Sequence, residues 1–277
     1  MNDLNIKWKD FYKNVFALVV PMALQNLINV GVTAADVVML GKVSEKVLSG
    51  ASLAGQIQYI MVLFLFGLTS GATVLTAQYW GKGDKTAIEK ILALGIRSAV
   101  IVTAIFTIAA FTIPASLMRI FTNDPQVIAE GVKYLRIVAC SYIIMGITNV
   151  YLYVMRSIER VIVATVVYLV SFLCNVVFNA IFIFGLFGFP ALGIRGAAIA
   201  TLIARIMELV LVCGYAKIYN KDVKFRVHYF LHQDKLLVRD FLVYSLPVVL
   251  NEVMWGLGTS ANTAAVSYTH LTLPTIA

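Results

Sequence analysis

Residues 161–187 read VIVATVVYLVSFLCNVVFNAIFIFGLF, a stretch without one charged side chain. A helix needs about 20 consecutive apolar residues to cross the hydrocarbon core of a bilayer. The stretch is long enough, and it lacks the alternation of apolar and polar residues that a membrane β-strand would show. It therefore predicts a transmembrane α-helix, in which the backbone polar groups are satisfied within the segment itself.

Six further apolar runs accompany this one. Of the 277 residues, 60% are hydrophobic and 13% are charged, whereas soluble domains are about a quarter charged. The net charge of +8 does not indicate a nucleic-acid-binding protein, because the cations lie between the apolar runs and not on one face with interleaved aromatic residues. The sequence predicts an all-α polytopic membrane protein with spans near residues 14–40, 51–80, 95–119, 133–156, 161–187, 196–217 and 241–266.

The distribution of Lys and Arg between the spans predicts the orientation. Cytoplasmic segments of membrane proteins carry an excess of these residues, and here fourteen fall in one alternate set of segments against four in the other. The N-terminus and the segment 218–240 are therefore expected on the cytoplasmic side. The larger set comprises Lys7, Lys9, Lys13, Lys82, Lys85, Lys90, Arg156, Arg160, Lys217, Lys221, Lys224, Arg226, Lys235 and Arg239; the smaller comprises Lys42, Lys46, Arg119 and Arg195.

One carboxylate lies inside the first span. Ionisable groups within a membrane span are costly and are functional candidates by default. Asp36 follows Gln25, Asn29 and Thr33, and at about 100° per residue these four positions fall within roughly an 80° arc of the helix. They form one polar stripe. Either Asp36 faces the other helices as a buried carboxylate, or it lies close enough to the turn at Gly41 to be hydrated.

The fifth span carries a matching stripe, because Ser171, Asn175 and Asn179 repeat every four residues. Such amides can serve only to hold helices together. Beside Asp36 they have a second interpretation, since one carboxylate with several neutral oxygens suits a hard cation. The same carboxylate could instead take up a proton, and Thr201 in the sixth span could add a hydroxyl. Apart from a Na⁺ ion at Asp36 no metal site is expected, and no cofactor.

The remaining ionisable residues of the spans have simpler interpretations. Arg205 and Glu208 lie three residues apart and are expected to pair on one helix face. Glu252 in the seventh span has no neighbour in sequence that would neutralise it. We hypothesise that Glu252 lies along a substrate pathway together with Gln25 and Asn29.

Other residue patterns do not indicate catalysis. His228 and His232 are spaced like metal ligands on a helix, but they lie in the basic segment without an acidic partner and are interpreted as surface residues. The run Gly81-Lys82-Gly83-Asp84 lacks the spacing of a phosphate-binding loop, which argues against a nucleotide-driven pump. No histidine lies within the seven spans, so an enzyme is not expected.

A short repeat relates the first and last spans. Aligning Pro21 with Pro247 places VPMALQN over LPVVLNE, and repeated halves are common in secondary transporters. The chain is therefore divided into a six-helix lobe, a basic cytoplasmic connector, the first helix of a second lobe and a tail. These parts cover residues 1–217, 218–240, 241–266 and 267–277.

The tail at 267–277 neither continues the apolar run nor supplies a basic exit from the membrane. The tail therefore looks foreign to the rest of the chain. We expect this tail to lack stable structure, the seventh helix to be loosely attached, and the chain to be a truncated half.

Several segments together are similar to one family of transporters. PMALQNLIN at 21–29, residues 36–41, Gly67–Gly71 and AQYWGKGD at 77–84 look like its first two helices. Its fifth, sixth and seventh helices are matched by residues 175–185, 193–201 and 246–258. The sequence thus resembles the multidrug and toxic compound extrusion (MATE) family, over nearly everything up to Val266.

The resemblance implies twelve helices in two six-helix lobes, of which this chain would hold the first lobe and one helix more. It implies a multi-pass antiporter of a bacterial-type inner membrane that exports organic, often cationic, compounds or drugs in exchange for Na⁺ or H⁺. Its partners would be the bilayer, those small molecules and the missing second lobe, with no nucleic acid.

The family's cation site corresponds to Asp36, Asn175, Asn179 and Thr201. Some relatives carry a second acid where this chain has Asn179, so the site here should neutralise one charge. Glu252 lies nearer its proline than the acid found in helix seven of several relatives, which leaves its role open. The choice between Na⁺ and H⁺ and the identity of the substrate are also open.

The alternative considered is a flippase for lipid-linked oligosaccharides, which shares the wider superfamily architecture. A flippase would favour several cationic side chains around its cavity to hold a diphosphate. This lobe offers Arg205 alone in a central position, and Arg205 is expected to be paired.

Overall fold

The computed structural model describes residues 8–231 and 234–272, and every regular element in those ranges is helical. Short 3₁₀ turns at Ala139–Ser141 and Leu186–Gly188 join or follow longer helices. The α-helices are α1 (Trp8–Gly41), α2 (Glu45–Gly81), α3 (Lys85–Thr112), α4 (Pro114–Arg119), α5 (Pro125–Val138), α6 (Tyr142–Ser157), α7 (Val161–Phe184), α8 (Ile194–Ile218), α9 (Val227–Leu231) and α10 (Lys235–Thr272).

Seven segments in the described ranges are long and apolar enough to cross a membrane, as the sequence predicts. One of them contains both α5 and α6. The third ends earlier than expected, at Thr112, because Pro114 cannot continue the hydrogen-bond ladder of the preceding helix. The segments are Phe11–Gly41, Glu45–Gly81, Lys85–Thr112, Pro125–Ser157, Val161–Phe184, Ile194–Ile218 and Lys235–Thr259.

Local sequence signals set several helix ends. Ser44 accepts a hydrogen bond from the backbone N–H of Val47 at the start of α2, and Asp84 accepts one from Ala87 (3.0 Å) at the start of α3. Such caps satisfy N–H groups that have no partner inside the helix. At the end of α7, Gly185 adopts the left-handed conformation (φ 73°) that favours glycine.

Most helices bury one face inside the bundle and expose an apolar face on the outside of the bundle. α7 packs between α1 and α8, while α2 packs against α3, α5 and α6. Leu152 and Met155 of α6 are fully buried in the shared core. By contrast Ile101, Ile105 and Ile108 of α3 are all more than half exposed, and because they lie on one helix face they form a surface suited to lipid.

Ion pairs connect several chain segments at one end of the bundle. Asp222 accepts hydrogen bonds from Lys85 at the start of α3 (2.9 Å) and from Arg160 before α7 (3.1 Å). These two bonds hold the pKa of the Asp222 carboxyl below its usual range. Segments expected to share the cytoplasmic side thus meet at one end, and which side of the membrane this end faces stays a prediction. Two further pairs are Arg226–Glu89 (2.8 Å) and Lys90–Asp234 (3.6 Å).

The segment expected as the connector at 218–240 holds more helix than its composition indicates. It contains α9, and α10 already begins at Lys235. Between α8 and α9, Asn220 donates a hydrogen bond to the hydroxyl of Tyr151 (2.9 Å) and accepts one from the backbone N–H of Val223 (3.1 Å). This part of the connector is therefore held against α6.

The expectation of an unstructured tail is wrong for residues 267–272, because α10 continues through Thr272. No glycine or proline interrupts the chain between Gly258 and Pro274. A helix that has already formed extends by one hydrogen bond for each residue added, so the loss of apolar character alone does not end it. Residues 273–277 lie outside the described ranges.

The expectation that the seventh span is loosely attached is also wrong. α10 packs along much of α2. At Gly67 an added Cβ would lie 2.6 Å from Cα of Val249, and at Gly71 it would lie 2.8 Å from the backbone nitrogen of Ser245. Small residues permit such close approach of membrane helices. Gly67 and Gly71 therefore form the surface of α2 against which α10 packs most closely.

Replacing Gly67 by alanine should separate α10 from α2. The new methyl group would lie within 2.6 Å of the Val249 backbone, and overpacking of this kind costs about 1–3 kcal/mol. We expect a lower Tm for the Gly67→Ala chain in detergent. Gly55→Ala is the matched control, because nothing lies within 4 Å of its added Cβ and alanine favours a helix. Equal Tm values for the two variants would contradict this packing.

Candidate functional site

Two adjoining cavities lie within the bundle. The first, of about 470 Å³, lies between α1, α2 and α5 to α8. The second, of about 670 Å³, extends towards the α1–α2 turn and is lined by Leu40 and Leu48. Asp36 and Tyr134 line both, so the carboxylate lies where the cavities meet. The polar and charged lining of the first cavity comprises Asn26, Asn29, Thr33, Asp36, Gln58, Tyr59, Thr69, Tyr134, Asn149, Tyr153, Arg156, Tyr168, Ser171, Asn175, Thr201, Arg205 and Glu208.

A chain of side-chain hydrogen bonds leads from Asp36 across three helices. Nδ2 of Asn179 donates to Oδ1 of Asp36 (2.5 Å) and to Oδ1 of Asn175 (3.0 Å). Nδ2 of Asn175 in turn donates to the hydroxyl of Thr201 (3.5 Å). Both asparagines are buried, at 2% and 0% exposure. The structure thus confirms that Asn175 and Asn179 turn inward and that Asn179 reaches Asp36, and it joins all four predicted residues.

One oxygen of this chain has no hydrogen-bond partner. Oδ1 of Asn179 is buried and unpaired within the described structure. Leaving a buried acceptor unsatisfied costs about 1–3 kcal/mol. A hard cation prefers carboxylate, amide and hydroxyl oxygens, and Asp36, Asn179 and Thr201 supply one of each. These are ligand types that a small cation accepts, but in this arrangement Nδ2 of Asn179 faces Asp36, so its oxygen would reach a cation at the carboxylate only after the amide rotates.

A second charged group lines the first cavity. Oε1 of Glu208 accepts hydrogen bonds from Arg205 (2.7 Å) and from the hydroxyl of Ser171 (2.9 Å). Glu208 is 2% exposed and Arg205 is 24% exposed at its side chain. The predicted pair on one face of α8 is confirmed, and Ser171 joins this pair and not the chain from Asp36.

The family model MatE matches residues 21–181, a stretch that holds Asp36, Asn175 and Asn179. The chain belongs to this family. The match bears out the resemblance to MATE transporters that the sequence predicts.

Curated relatives of this MatE chain are considerably longer than the chain itself. It is 28% identical over 198 residues to the "Probable multidrug resistance protein NorM" of Thermotoga maritima, covering 70% of this chain and 42% of the relative. It is 27% identical over 210 residues to the protein of the same name from Rhizobium meliloti, covering 76% and 45%. The chain therefore spans about half the length of these relatives.

Solved structures share its fold. A MOP superfamily transporter from Pyrococcus furiosus matches with a TM-score of 0.81 at 18% identity, covering 95% of this chain and 60% of that one. An outward-facing multidrug resistance MATE family transporter matches with a TM-score of 0.78 at 20% identity, covering 87% and 52%. At these identities the likeness shows the fold alone.

Gln25 lies outside the site that the polar stripe of α1 predicts. Its Nε2 donates to the carbonyl of Val161 (3.1 Å) and to the hydroxyl of Thr165 (2.7 Å), and it lines neither cavity. Gln25 and Asp36 share a helix face, but they are about 16 Å apart along the helix axis. At the depth of Gln25, α7 packs directly on α1. Gln25 therefore joins two helices, whereas Asn29 lines the first cavity.

Two other expected positions also lie apart from the cavities. Glu252 is half-buried on α10 and lines neither of them, so the structure does not bring it to Asp36. His228 lies in α9 and His232 lies outside the described residues. In the ranges that the structure describes, no group of three His, Cys, Asp or Glu side chains could hold a metal ion.

Sequence reasoning missed the side chains of α6 that face the first cavity. Arg156 was counted among the cations at the end of a span, yet its guanidinium lies 4.5 Å from the ring centroid of Tyr153. Asn149 accepts a hydrogen bond from the hydroxyl of Tyr168 (3.3 Å). A signal was present, since Asn149, Tyr153 and Arg156 recur at spacings of four and three residues and so share one helix face.

Replacing Glu208 by glutamine should destabilise the chain. The change leaves Arg205 without its counter-ion, and breaking such a pair costs several kcal/mol when both groups are buried. Because Arg205 is 24% exposed, we expect a smaller loss of about 2 kcal/mol, measured as a lower Tm in detergent. Glu159→Gln, at an exposed position between α6 and α7, should leave the Tm unchanged. A similar Tm for both variants would contradict a structural role for the pair.

Proposed function

We propose that this chain is the first lobe of a cation-coupled antiporter that exports organic, often cationic, compounds or drugs in exchange for Na⁺ or H⁺. The observation that carries the proposal is the position of Asp36. Its carboxylate lies where two cavities meet and accepts a hydrogen bond from Asn179, whose own oxygen has no partner. The relatives named as probable multidrug resistance proteins support the substrate class.

In this proposal the carboxylate of Asp36 alternates between two partners. With a Na⁺ ion present, Asp36 neutralises its charge. The amide of Asn179 rotates so that Oδ1 faces the ion, and Thr201 adds a hydroxyl oxygen. When Asp36 takes up a proton, its carboxyl group becomes a hydrogen-bond donor. Oδ1 of Asn179 accepts that hydrogen bond after the Asn179 amide rotates. Either way one charge is neutralised, so cation binding removes the negative charge that would hold a cationic substrate. The coupling between the cation and the substrate is reciprocal, so each would weaken binding of the other.

The first cavity suits an organic substrate of moderate size. Its volume of about 470 Å³ falls within the 300–1,000 Å³ typical of small-molecule pockets. Its wall includes the rings of Tyr59, Phe66, Tyr134, Tyr153 and Tyr168. Aromatic faces attract organic cations, so these rings supply affinity without a fixed hydrogen-bond pattern.

Export would require a second lobe. Secondary transporters expose a central site alternately to the two sides by movement of one repeat against another. We propose that α10 begins that second lobe and that the basic connector lies on the cytoplasmic side of a bacterial-type inner membrane, with the N-terminus on the same side. Support comes from the excess of Lys and Arg and from the half-length coverage of the relatives.

The flippase alternative receives no support from the cavity. Its wall holds two guanidinium groups, Arg156 and Arg205, and Arg205 is paired with Glu208. One unpaired cation is a poor match for a diphosphate, which would favour several.

Replacing Asp36 by asparagine should abolish coupled export by the complete transporter. Asparagine keeps the size of the side chain but removes the charge that a cation or proton must neutralise. We expect at least a tenfold loss of drug-stimulated cation flux in vesicles, with unchanged membrane insertion. Asp240→Asn is the matched control, since Asp240 lies on α10 and lines neither cavity. Gradient-driven efflux retained by Asp36→Asn would refute the assignment.

A further inference from the structure

The part of the connector between α8 and α10 is held against one end of the bundle. Asn220 donates a hydrogen bond to the hydroxyl of Tyr151 on α6 (2.9 Å). The backbone N–H of Lys224 donates to Oε1 of Glu89 on α3 (3.0 Å), and Phe230 packs against the shared core. Because α8 ends and α10 begins at this end of the bundle, the connector lies where a bilayer has its headgroups.

This segment carries an excess of cations. Residues 217–239 hold six Lys and Arg side chains against two Asp. Both Asp side chains are already paired with cations outside the segment, and Arg226 is paired with Glu89. The other five cations are exposed, and none of them forms an ion pair with a residue that the structure describes. They are Lys217, Lys221, Lys224, Lys235 and Arg239.

Exposed apolar side chains accompany these cations. Val227 and Leu231 of α9, Ile218 at the end of α8 and Leu236 at the start of α10 are each more than 60% exposed. Segments that combine apolar side chains with Lys and Arg lie in the membrane interface. The long stem of a lysine can lie along apolar surface there while its ammonium group reaches the headgroups.

We propose that the connector binds phospholipids with anionic headgroups at this end of the bundle. Its partner is a lipid whose phosphate is not neutralised by a cation in the same headgroup, such as phosphatidylglycerol. Anionic lipids attract Lys and Arg side chains that lie next to the membrane, and the acyl chains of the same lipids would cover Val227 and Leu231. A soluble polyanion would leave those apolar side chains in water. The proposal does not depend on the export function.

Two lipids of opposite character test the proposal. Phosphatidylglycerol or zwitterionic phosphatidylcholine is added to the purified chain in detergent micelles, and the Tm is measured. A ligand that binds only the folded state raises the Tm. We expect phosphatidylglycerol to raise it by about 3 °C or more above the value with phosphatidylcholine. High salt should reduce this gain, because salt screens exposed charges.

The triple variant Lys221→Gln, Lys224→Gln and Lys235→Gln should lose at least about half of the gain, since it removes three of the five unpaired charges. All three side chains are exposed. The hydrogen bond from Lys224 to Glu89 uses the backbone, so the substitution leaves it in place. The comparison is between Tm values with and without lipid for the same variant, so a change in intrinsic stability does not enter the result.

The matched control is the triple variant Lys42→Gln, Arg119→Gln and Arg195→Gln, which removes three exposed cations near the opposite end of the bundle. It should keep the full gain. Equal gains from the two lipids would overturn the proposal. So would equal losses in the two triple variants, which would indicate a general effect of net charge. Glycerol 3-phosphate has the phosphate without acyl chains, and a gain from it as large as that from phosphatidylglycerol would indicate a site for free phosphate and refute the lipid surface.

Discussion

The hydrogen bond from Asn179 to Asp36 joins α7 to α1 inside an apolar bundle, at the point where the two cavities meet. Only 11% of the most apolar stretch of α1 is buried, against 61% for the span formed by α5 and α6. α1 packs mainly against α7, and the polar contacts of this interface, at Pro21, Gln25 and Asp36, add to that packing. Because one of them ends on the proposed cation site, loading that site would act directly on the contact between the helices. A site that shares a group with a helix interface provides a physical basis for coupling ion binding to movement.

The two ends of the bundle are built differently. At the end with α9, charged side chains bind the connector to α3 and to the turn before α7. The pairs of Asp222 are partly exposed and worth at most about 1 kcal/mol each, whereas Glu89 in the third pair is buried. Further along the bundle, polar side chains line the cavities, and some of them, such as Asn175 and Glu208, are buried. Between these regions α10 lies against Gly67 and Gly71 of α2. The seventh span thus contacts the six-helix lobe through close backbone packing on α2. If α10 begins a second lobe, movement of that lobe would be transmitted to the first lobe through α2.

The sequence predicts whatever depends on local pattern. Apolar runs predict the seven spans, and the four-residue spacing of Asn175 and Asn179 predicts that they share a face. The features that the sequence does not predict depend on how the helices pack against each other. Gln25 and Asp36 share a face, yet only the packing of α7 shows that one meets a helix and the other a cavity. Arg156 looks like a flanking cation until α6 and α7 place it among tyrosines. The tail illustrates a different limit, because helix propagation, and not apolar character, decides how far α10 extends.

The central claim is that one carboxylate, Asp36, takes up the coupling cation. Infrared difference spectroscopy on the purified chain tests it most directly, by recording carboxyl bands while Na⁺ is added at constant pH and while the pH is varied without Na⁺. The account predicts a carboxylate signal in at least one titration, absent from Asp36→Asn and altered in Asn179→Ala, which removes the hydrogen-bond donor. The same difference bands in Asp36→Asn as in the unmodified chain would contradict it.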